Sequence, residues 1–336
     1  MSDKNVMVFI EYNNGKIADV SLELICEAKK LASKLGSAVT AVAIGDKIAT
    51  SLPLLGYHGC SKVFLYEDKR LANFTSVPYA KIVVETIKKY NPYIVLFGAT
   101  TNGRDVAPRV ASELKCGLTA DCTDLQIGEH DIKDKVYKDI LLQIRPAFGG
   151  NIIATIVSPE SIPSMATVRE GVMKISPPNM ELTIEIVKEE HQLSADDFMS
   201  EVLEIVRKER SVNLKGAAIV VSAGMGAADE DSFALVKELA KTVGGVVGAS
   251  RPFVDSGRLE RDHQVGQTGT TVRPNLYIAC GISGQIQHRA GMAESKRIIA
   301  INSDPNAPIF GIAHYGIVGD IKEIIPRMIK AYKNKL

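Results

Sequence analysis

Short apolar runs that alternate with segments of helical periodicity are the feature that most constrains this chain. The runs NVMVFIEY, AVTAVAIG, KVFLYED and YIVLFGAT have the length and the β-branched and aromatic content of buried strands. Between the first two, segment 18–35 places Val20, Leu24, Ala28, Leu31 and Leu35 on one helical face. The segment VPYAKIVVETIKKYN shows the same periodicity. The alternation predicts a largely parallel sheet with helices on both faces.

The pattern continues in a way that predicts two domains. After Gly117 the stretches LTADCTDLQIGEHD, YKDILLQIRPAFGGNIIATIVSP and SMATVREGVMKI predict further strands and complete a first α/β domain, residues 1–193. A polar stretch, 194–215, predicts a linker or hinge in which Ser194 caps a short helix through Arg207. A second strand and helix series, 216–336, predicts helices over 229–243 and from Asp320 to about Tyr332. The predicted fold class is therefore α/β, with two doubly wound, mostly parallel-sheet domains, the C-terminal one Rossmann-like.

Composition supports two cores and excludes some classes of partner. With 336 residues, of which 46% are hydrophobic, the chain is large enough for two cores. Lys and Arg total 40 against 39 Asp and Glu, so the net charge of +1 does not favour binding to nucleic acid. No apolar stretch approaches the ~20 residues that cross a bilayer, and the start resembles no targeting signal. Five cysteines without a CxxC spacing indicate reduced thiols. We expect a cytoplasmic protein that neither binds nucleic acid nor inserts into membranes.

Polar, glycine-rich loops follow the strands of the second domain, where open parallel sheets bind ligands. Each loop also has an ordinary explanation: Arg251 as a surface ion pair, His288 as a structural histidine, and Asp320 as an acid that begins a helix. The loop SAGMG is not a dinucleotide fingerprint, because Asp229 occupies the place of the third glycine. A helix is predicted to start at Ser283 and to present its N-terminus to phosphate.

Several motifs in one order carry a family resemblance. SRPFVDSG, QVGQTG, LYIACGISGQIQHRAGM, INSDPNAPIF and YGIVGD strongly resemble electron transfer flavoprotein alpha subunits. The first domain resembles them less sharply, through GRDVAPRVASELKCGLTADCTDL and RPAFGGNIIATI. The resemblance implies an electron carrier without catalytic residues of its own, which holds FAD in its second domain.

The resemblance also implies roles for individual residues. Arg251 lies against the isoalloxazine, Thr268 reaches flavin N(5) and His288 approaches the C(2) carbonyl. The guanidinium and the imidazole would favour the reduced flavin, which is more negative at that end. Asn302 and Asp320 lie toward the adenosine. The whole cofactor-binding set is Ser250, Arg251, Gln264, Val265, Gly266, Gln267, Thr268, Gly269, Gly281, Ser283, Gly284, Gln285, Gln287, His288, Asn302 and Asp320. Of these, Ser250, Gln267 and Gly269 join the isoalloxazine end, and Ser283, Gln285 and Gln287 surround the ribityl and pyrophosphate groups.

Two positions depart from the family pattern. Met225 stands where the family commonly has arginine, and His314 stands where it commonly has aspartate. Both are therefore left out of the predicted site.

The implied partners are an electron transfer flavoprotein beta subunit, contacted by the first domain, and an acyl-CoA dehydrogenase or similar flavin dehydrogenase. The helix start near Arg104 is predicted to contact the partner subunit rather than an anion. An NADH- and ferredoxin-linked bifurcating complex remains open. Two alternatives also remain at this point: a self-contained FAD or NAD oxidoreductase that uses His288 or His314 as proton donor, and a nucleotide-binding module without redox function.

Overall fold

The computed structural model describes residues 4–13, 15–132, 135–147, 152–206 and 212–334. Contacts divide the chain into two compact units, the first ending at Ile205 and the second beginning at Val206. No helix in the described ranges is both long enough and apolar enough to cross a membrane.

The first unit contains twelve strands and four α-helices among its described residues. Its strands are β1 (Val6–Ile10), β2 (Tyr12–Asn13), β3 (Lys16–Ile17), β4 (Val39–Gly45), β5 (Lys62–Glu67), β6 (Ile94–Gly98), β7 (Leu118–Cys122), β8 (Asp124–Ile132), β9 (Lys135–Ala147), β10 (Ile152–Ile156), β11 (Ser164–Val168) and β12 (Glu185–Lys188). Its helices are α1 (Asp19–Leu35), α2 (Pro53–Tyr57), α3 (Ser76–Tyr90) and α4 (Thr101–Leu114).

A seven-stranded parallel sheet, in the order β12-β5-β4-β1-β6-β11-β7, forms the centre of this unit. The four apolar runs predicted as strands are β1, β4, β5 and β6, and the two predicted helices are α1 and α3, so these predictions are confirmed. Alternate residues of β1 enter two separate cores, Val6 and Val8 on one face and Met7 and Phe9 on the other. The strands are therefore buried on both faces, as crossover helices require.

The strands predicted beyond Gly117 are also present, but they do not all extend the main sheet. β7 and β11 join it, whereas β8, β9 and β10 form a separate three-stranded antiparallel sheet. The edge strand β12 and the small hairpin of β2 and β3 were not predicted. Both are short, and β12 has an exposed, charged pattern that does not signal a strand.

The helix predicted from Ser194 is wrong for the described residues. Ser194 does form a capping box with Asp197, but it opens only a single 3-10 turn, Ala195–Asp197. Residues 199–206 have no regular structure, and Arg207 lies outside the described residues. Leu203 is 90% exposed, and Met199 and Val206 are also more than 80% exposed, so these apolar side chains pack little against the described residues. A short helix is marginal without such packing.

The second unit repeats the architecture on a smaller scale. Its parallel sheet has the order β14-β13-β15-β16-β17. The predicted helices over 229–243 and from Asp320 are confirmed to within a residue or two, with Asp229 and Asp320 as N-caps. The elements are β13 (Ile219–Ala223), α5 (Glu230–Thr242), β14 (Val246–Ala249), α6 (Arg251–Asp255), β15 (Leu276–Cys280), α7 (Ile286–Arg289), β16 (Ile298–Asn302), β17 (Tyr315–Val318) and α8 (Ile321–Lys333).

Candidate functional site

A cavity of about 550 Å³ lies at the carboxyl edge of the second sheet. Its wall consists of the segments that follow β13, β14, β15 and β16, with residues 264–268 between them. β13 and β15 are neighbours, and the order of the strands reverses between them. Doubly wound folds bind their ligands at such a switch point, because two adjacent loops there diverge and leave a crevice.

Glycines allow the loops after β13 and β15 to touch through their main chains. The Gly226 amide donates a hydrogen bond to the Gly281 carbonyl (3.0 Å), and Gly224 N donates to Cys280 O (2.8 Å). A Cβ atom on Gly226 would lie 2.9 Å from Gly281 Cα. Gly281 itself has a φ of +64°, which glycine adopts without strain. The two loops therefore form a continuous main-chain surface at the cavity.

The glutamine-rich loop is held against the segment that contains His288. The main-chain N–H of Gln267 donates a hydrogen bond to the main-chain carbonyl of Gln287 (2.6 Å). The side-chain Nε2 of Gln264 donates a hydrogen bond to Thr268 Oγ1 (3.0 Å). Gly266 has a φ of +142°, and a side chain there would meet Gln287 O. These contacts place Thr268 and Gln287 on one wall of the cavity.

His288 has one ring nitrogen without a partner. The side chain is buried, lines the cavity, and joins the Tyr277 hydroxyl through Nε2 at 2.9 Å. Nδ1 is also buried but has no hydrogen-bond partner among the described residues. Burial lowers the pKa of His288 to about 4. The imidazole is therefore neutral at physiological pH and offers a hydrogen bond rather than a charge.

Arg251 lies at the mouth of the cavity as the first residue of α6. Its Nε donates to Asp255 Oδ2 at 3.3 Å, and both side chains are more than half exposed. An exposed pair of this kind contributes at most about 1 kcal/mol, so it does not hold the guanidinium in place. Arg251 can turn toward a ligand that develops negative charge.

The prediction that a helix begins at Ser283 is wrong. Gly284 has a φ of +85°, which cannot continue a right-handed helix, and α7 begins only at Ile286 with Gln285 as its N-cap. Ser283 still lines the cavity, while its carbonyl accepts a hydrogen bond from Ile309 N at 3.0 Å.

Three predicted residues are not in the cavity wall. A Cβ on Gly269 would lie 2.4 Å from Gln264 O, and one on Gly284 would lie 2.2 Å from Ile309 N. Both glycines therefore allow close contacts between main-chain segments that lie outside the cavity wall. Asp320 accepts a hydrogen bond from Lys322 N (2.8 Å) as the N-cap of α8. The other predicted residues all line the cavity: Ser250, Arg251, Gln264, Val265, Gly266, Gln267, Thr268, Gly281, Ser283, Gln285, Gln287, His288 and Asn302.

The wall also contains residues that were not predicted. Asn302 binds Ile282 O through Nδ2 (2.9 Å) and accepts from Asp304 N (3.0 Å), which brings Asp304 to the cavity. The motif INSDPNAPIF contains this aspartate, but its position depends on the turn. The further lining residues are Met225, Gly226, Pro252, Ile282, Asp304, Ala307 and Pro308.

The two departures from the family pattern have different outcomes. Met225 is half exposed and lines the cavity, so its exclusion from the site is not supported. His314 is not in the wall: its Nδ1 accepts a hydrogen bond from Ile298 N at 3.1 Å, at the start of β16. A carboxylate could accept the same bond, which explains why either residue suits this position.

Comparison with known protein families agrees with this architecture. A family model described as the electron transfer flavoprotein domain matches residues 6–194, and one described as the electron transfer flavoprotein FAD-binding domain matches residues 213–293. The chain belongs to the electron transfer flavoprotein family, as an alpha subunit. An electron transfer flavoprotein subunit alpha from Thermoanaerobacterium thermosaccharolyticum is 47% identical over 331 residues, which is 98% of each chain.

Two further relatives of the electron transfer flavoprotein chain have more specific names. The acryloyl-CoA reductase electron transfer subunit beta of Anaerotignum propionicum is 41% identical and covers 99% of this chain and 96% of its own. The lactate dehydrogenase (NAD(+),ferredoxin) subunit LctC of Acetobacterium woodii is 39% identical over 97% of this chain and 76% of its own.

FAD is the cofactor of this electron transfer flavoprotein family domain, and the residues present fit it. The matched range includes the loops after β13, β14 and β15 that form most of the cavity. The unpartnered Nδ1 of His288 and the glycine-lined wall provide a polar contact and close main-chain approach for a large planar ligand.

Proposed function

We propose that this chain holds FAD in the cavity of its second unit and carries electrons within a heterodimer with an electron transfer flavoprotein beta subunit. The observation that carries this proposal is the convergence of four separate loops, predicted individually as polar and glycine-rich, on one cavity. Electron transfer requires a tuned potential and a short distance between redox groups, which a shaped cavity with few charged side chains can provide.

The proposed orientation places the isoalloxazine beside Arg251, Thr268 and His288. When bound, FAD supplies the site that is reduced and reoxidised. The protein contributes donors at the end of the flavin that becomes negative, so both Arg251 and the neutral His288 favour the reduced form. Ser283, Gln285 and Gln287 would hold the ribityl and pyrophosphate groups. Asn302 and Asp304 would lie toward the adenosine. A contact between Asp320 and the adenosine stays a prediction.

Substitution of Arg251 tests this orientation. Arg251→Ala should lower the flavin potential, because a charge-assisted contact worth about 2 kcal/mol corresponds to roughly 85 mV for one electron. Spectroelectrochemical titration measures the shift. Arg258→Ala is the matched control, since Arg258 is exposed, follows seven residues later in the chain and does not line the cavity. Thr268→Ala should also shift the potential, and Thr268→Ser should restore it. Wild-type potentials in both alanine variants would remove these residues from the flavin site.

The beta subunit and the dehydrogenase are proposed from the family resemblance. An acyl-CoA dehydrogenase or a similar flavin dehydrogenase would exchange electrons with this FAD, and the Arg104 region would contact the partner subunit. Arg104 is exposed and paired with Asp121 at 2.9 Å, so its charge is partly neutralised on the surface.

Copurification of this chain with a co-expressed beta subunit tests the assembly, when the bound flavins and nucleotides per heterodimer are counted. Two FADs per pair would support a bifurcating complex, and one FAD with AMP a simple carrier. A flavin-free chain that recovers no partner would overturn the proposal.

A cytoplasmic location is proposed on the same basis, and cell fractionation with an antibody to this chain would test it.

A further inference from the structure

Among the described residues, Tyr277 contacts the wall of the flavin cavity through another residue, His288. Tyr277 lies in β15, its side chain is completely buried, and it is not part of the cavity wall. Its hydroxyl forms a 2.9 Å hydrogen bond with Nε2 of His288, which does line the cavity. The two rings are tilted by 58° with centroids 6.1 Å apart, so they meet through this bond rather than by stacking. The hydroxyl therefore controls one of the two nitrogens of a site residue.

The surroundings of the pair indicate the direction of this hydrogen bond. Burial raises the pKa of Tyr277, so the hydroxyl keeps its proton. Burial keeps His288 neutral, so only one of its two ring nitrogens carries a proton. Nε2 already faces Tyr277. A proton on Nε2 would deprive the buried tyrosine proton of this acceptor, so the ring proton is on Nδ1 and the tyrosine hydroxyl donates to Nε2.

We propose that Tyr277 is a positioning residue that holds His288 as the Nδ1–H tautomer at the wall of the flavin cavity. The proposal deepens the proposed function and rests on it. A neutral histidine can present either a donor or a lone pair through a given nitrogen, and the bond made by the other nitrogen selects between them. With Tyr277 in place, Nδ1 is a donor. This is the polarity that an electron-rich carbonyl of a reduced flavin needs.

Loss of the hydroxyl should release this selection. In Tyr277→Phe, Nε2 loses its donor, so the Nδ1–H tautomer is no longer favoured over the Nε2–H tautomer. A lone pair on Nδ1 would then face the acceptor atoms of the flavin for part of the time. We expect a threefold to tenfold loss of relative affinity for the reduced flavin, up to a fall in potential of ~59 mV for one electron.

Nitrogen NMR of the heterodimer with ¹⁵N-labelled histidine rings tests the tautomer directly. The six histidines give separate ring signals, and His288→Asn identifies those of His288. The wild type should show a protonated Nδ1 and an unprotonated Nε2, with and without bound FAD. Tyr277→Phe should move both shifts toward intermediate values. A protonated Nε2 in the wild type, or unchanged shifts in Tyr277→Phe, would overturn the proposal without involving the flavin.

A double-mutant cycle on the flavin potential tests the consequence. If Tyr277 acts through His288, Tyr277→Phe should lower the potential in the wild-type background and leave it unchanged in the His288→Asn background. Tyr66→Phe is the matched control, because it removes a buried hydroxyl bonded to Thr86 in the other unit. A shift that persists without His288 would contradict the proposed role. By contrast, absence of FAD from the wild type, or no effect of His288→Asn on the potential, would refute the proposed flavin orientation.

Discussion

At the scale of single residues, each unit buries an ionisable side chain, and burial shifts the pKa of that side chain. His288 in the second unit is neutral because it is buried in the wall of the cavity. Glu11 in the first unit directly follows β1, is 3% exposed, and receives hydrogen bonds from Thr100 Oγ1 at 2.8 and 2.9 Å. Burial raises the pKa of Glu11 to about 7; the Thr100 bond opposes this shift and Glu170 adds to it. The hydrogen bond from Thr100 does not compensate for the hydration that the ionised carboxylate of Glu11 loses on burial.

Replacement of Glu11 should therefore stabilise the protein above neutral pH. The folded state holds a proton on Glu11 between pH 4.5 and about 7, where the unfolded state has lost it, so stability falls as pH rises through this window. Glu11→Gln keeps the shape and should remove this fall, worth up to about 3 kcal/mol at pH 8. Thermal unfolding at pH 5 and pH 8 measures it, with exposed Glu129→Gln as control. Equal pH dependence in Glu11→Gln and wild type would disprove the assignment.

At the scale of elements, the site depends on how closely its loops approach one another. The loops after β13 and β15 touch through Gly224, Gly226 and Gly281, and the loop after β14 leads to residues that bond Gln287. The strands only set the starting points of these loops. Small residues at the crossing then determine the width of the crevice.

Gly226→Ala should narrow this crevice. The new Cβ would meet the main chain of Gly281, which cannot move aside as a flexible side chain would. We expect a destabilisation of about 1–3 kcal/mol and weaker FAD retention. Gly311→Ala is the control, since nothing lies within 4 Å of a Cβ there in the same unit. Fluorescence titration of released FAD and thermal unfolding measure the two effects. Equal FAD affinity in the two variants would show that the glycine contact does not shape the site.

At the scale of the whole molecule, the connector between the units has two distinct parts. Its first part is tied to the first unit: Asp197 pairs with Lys81 at 2.9 Å, and the Phe198 ring lies 4.4 Å from the Arg70 guanidinium. From Met199 to Val206 the chain has no regular structure and exposes several apolar side chains. The predicted hinge, 194–215, is therefore better proposed to begin at Met199 than at Ser194.

Stiffening this part should slow electron exchange with partner proteins. The double variant Glu201→Pro with Glu204→Pro restricts the backbone of an exposed, irregular segment. Glu201→Ala with Glu204→Ala removes the same charges without the restriction. If the FAD-containing unit must swing between partners, the proline variant alone should reduce transfer to the dehydrogenase several-fold, while reduction by dithionite stays normal. Equal transfer rates in the proline and alanine variants would rule out a hinge here.

The sequence alone determined the fold class and predicted most of the residues that line the cavity of the second unit. Buried parallel strands such as β1 and β15 are apolar throughout, so their local sequence is enough to predict them. The loops of the second domain carry motifs specific enough to indicate FAD. Loops that follow parallel strands emerge at one edge, which predicted that these loops lie together, and the family resemblance implied that Arg251, Thr268 and His288 share one end of the site. These conclusions depend on local pattern and on the geometry that every parallel sheet shares.

Only the tertiary structure decided what depends on neighbours distant in sequence. The helix predicted from Ser194 is absent from residues 199–206, where Leu203 and other apolar side chains stay largely exposed among the described residues. Gly284 interrupts the helix predicted from Ser283 because it packs against Ile309, and Asp304 reaches the cavity through a bond to Asn302. The state of His288 likewise follows from burial and from Tyr277, eleven residues away along the chain. Packing and desolvation depend on all the atoms that surround a residue in the folded protein. A pattern along the sequence does not specify which atoms these are.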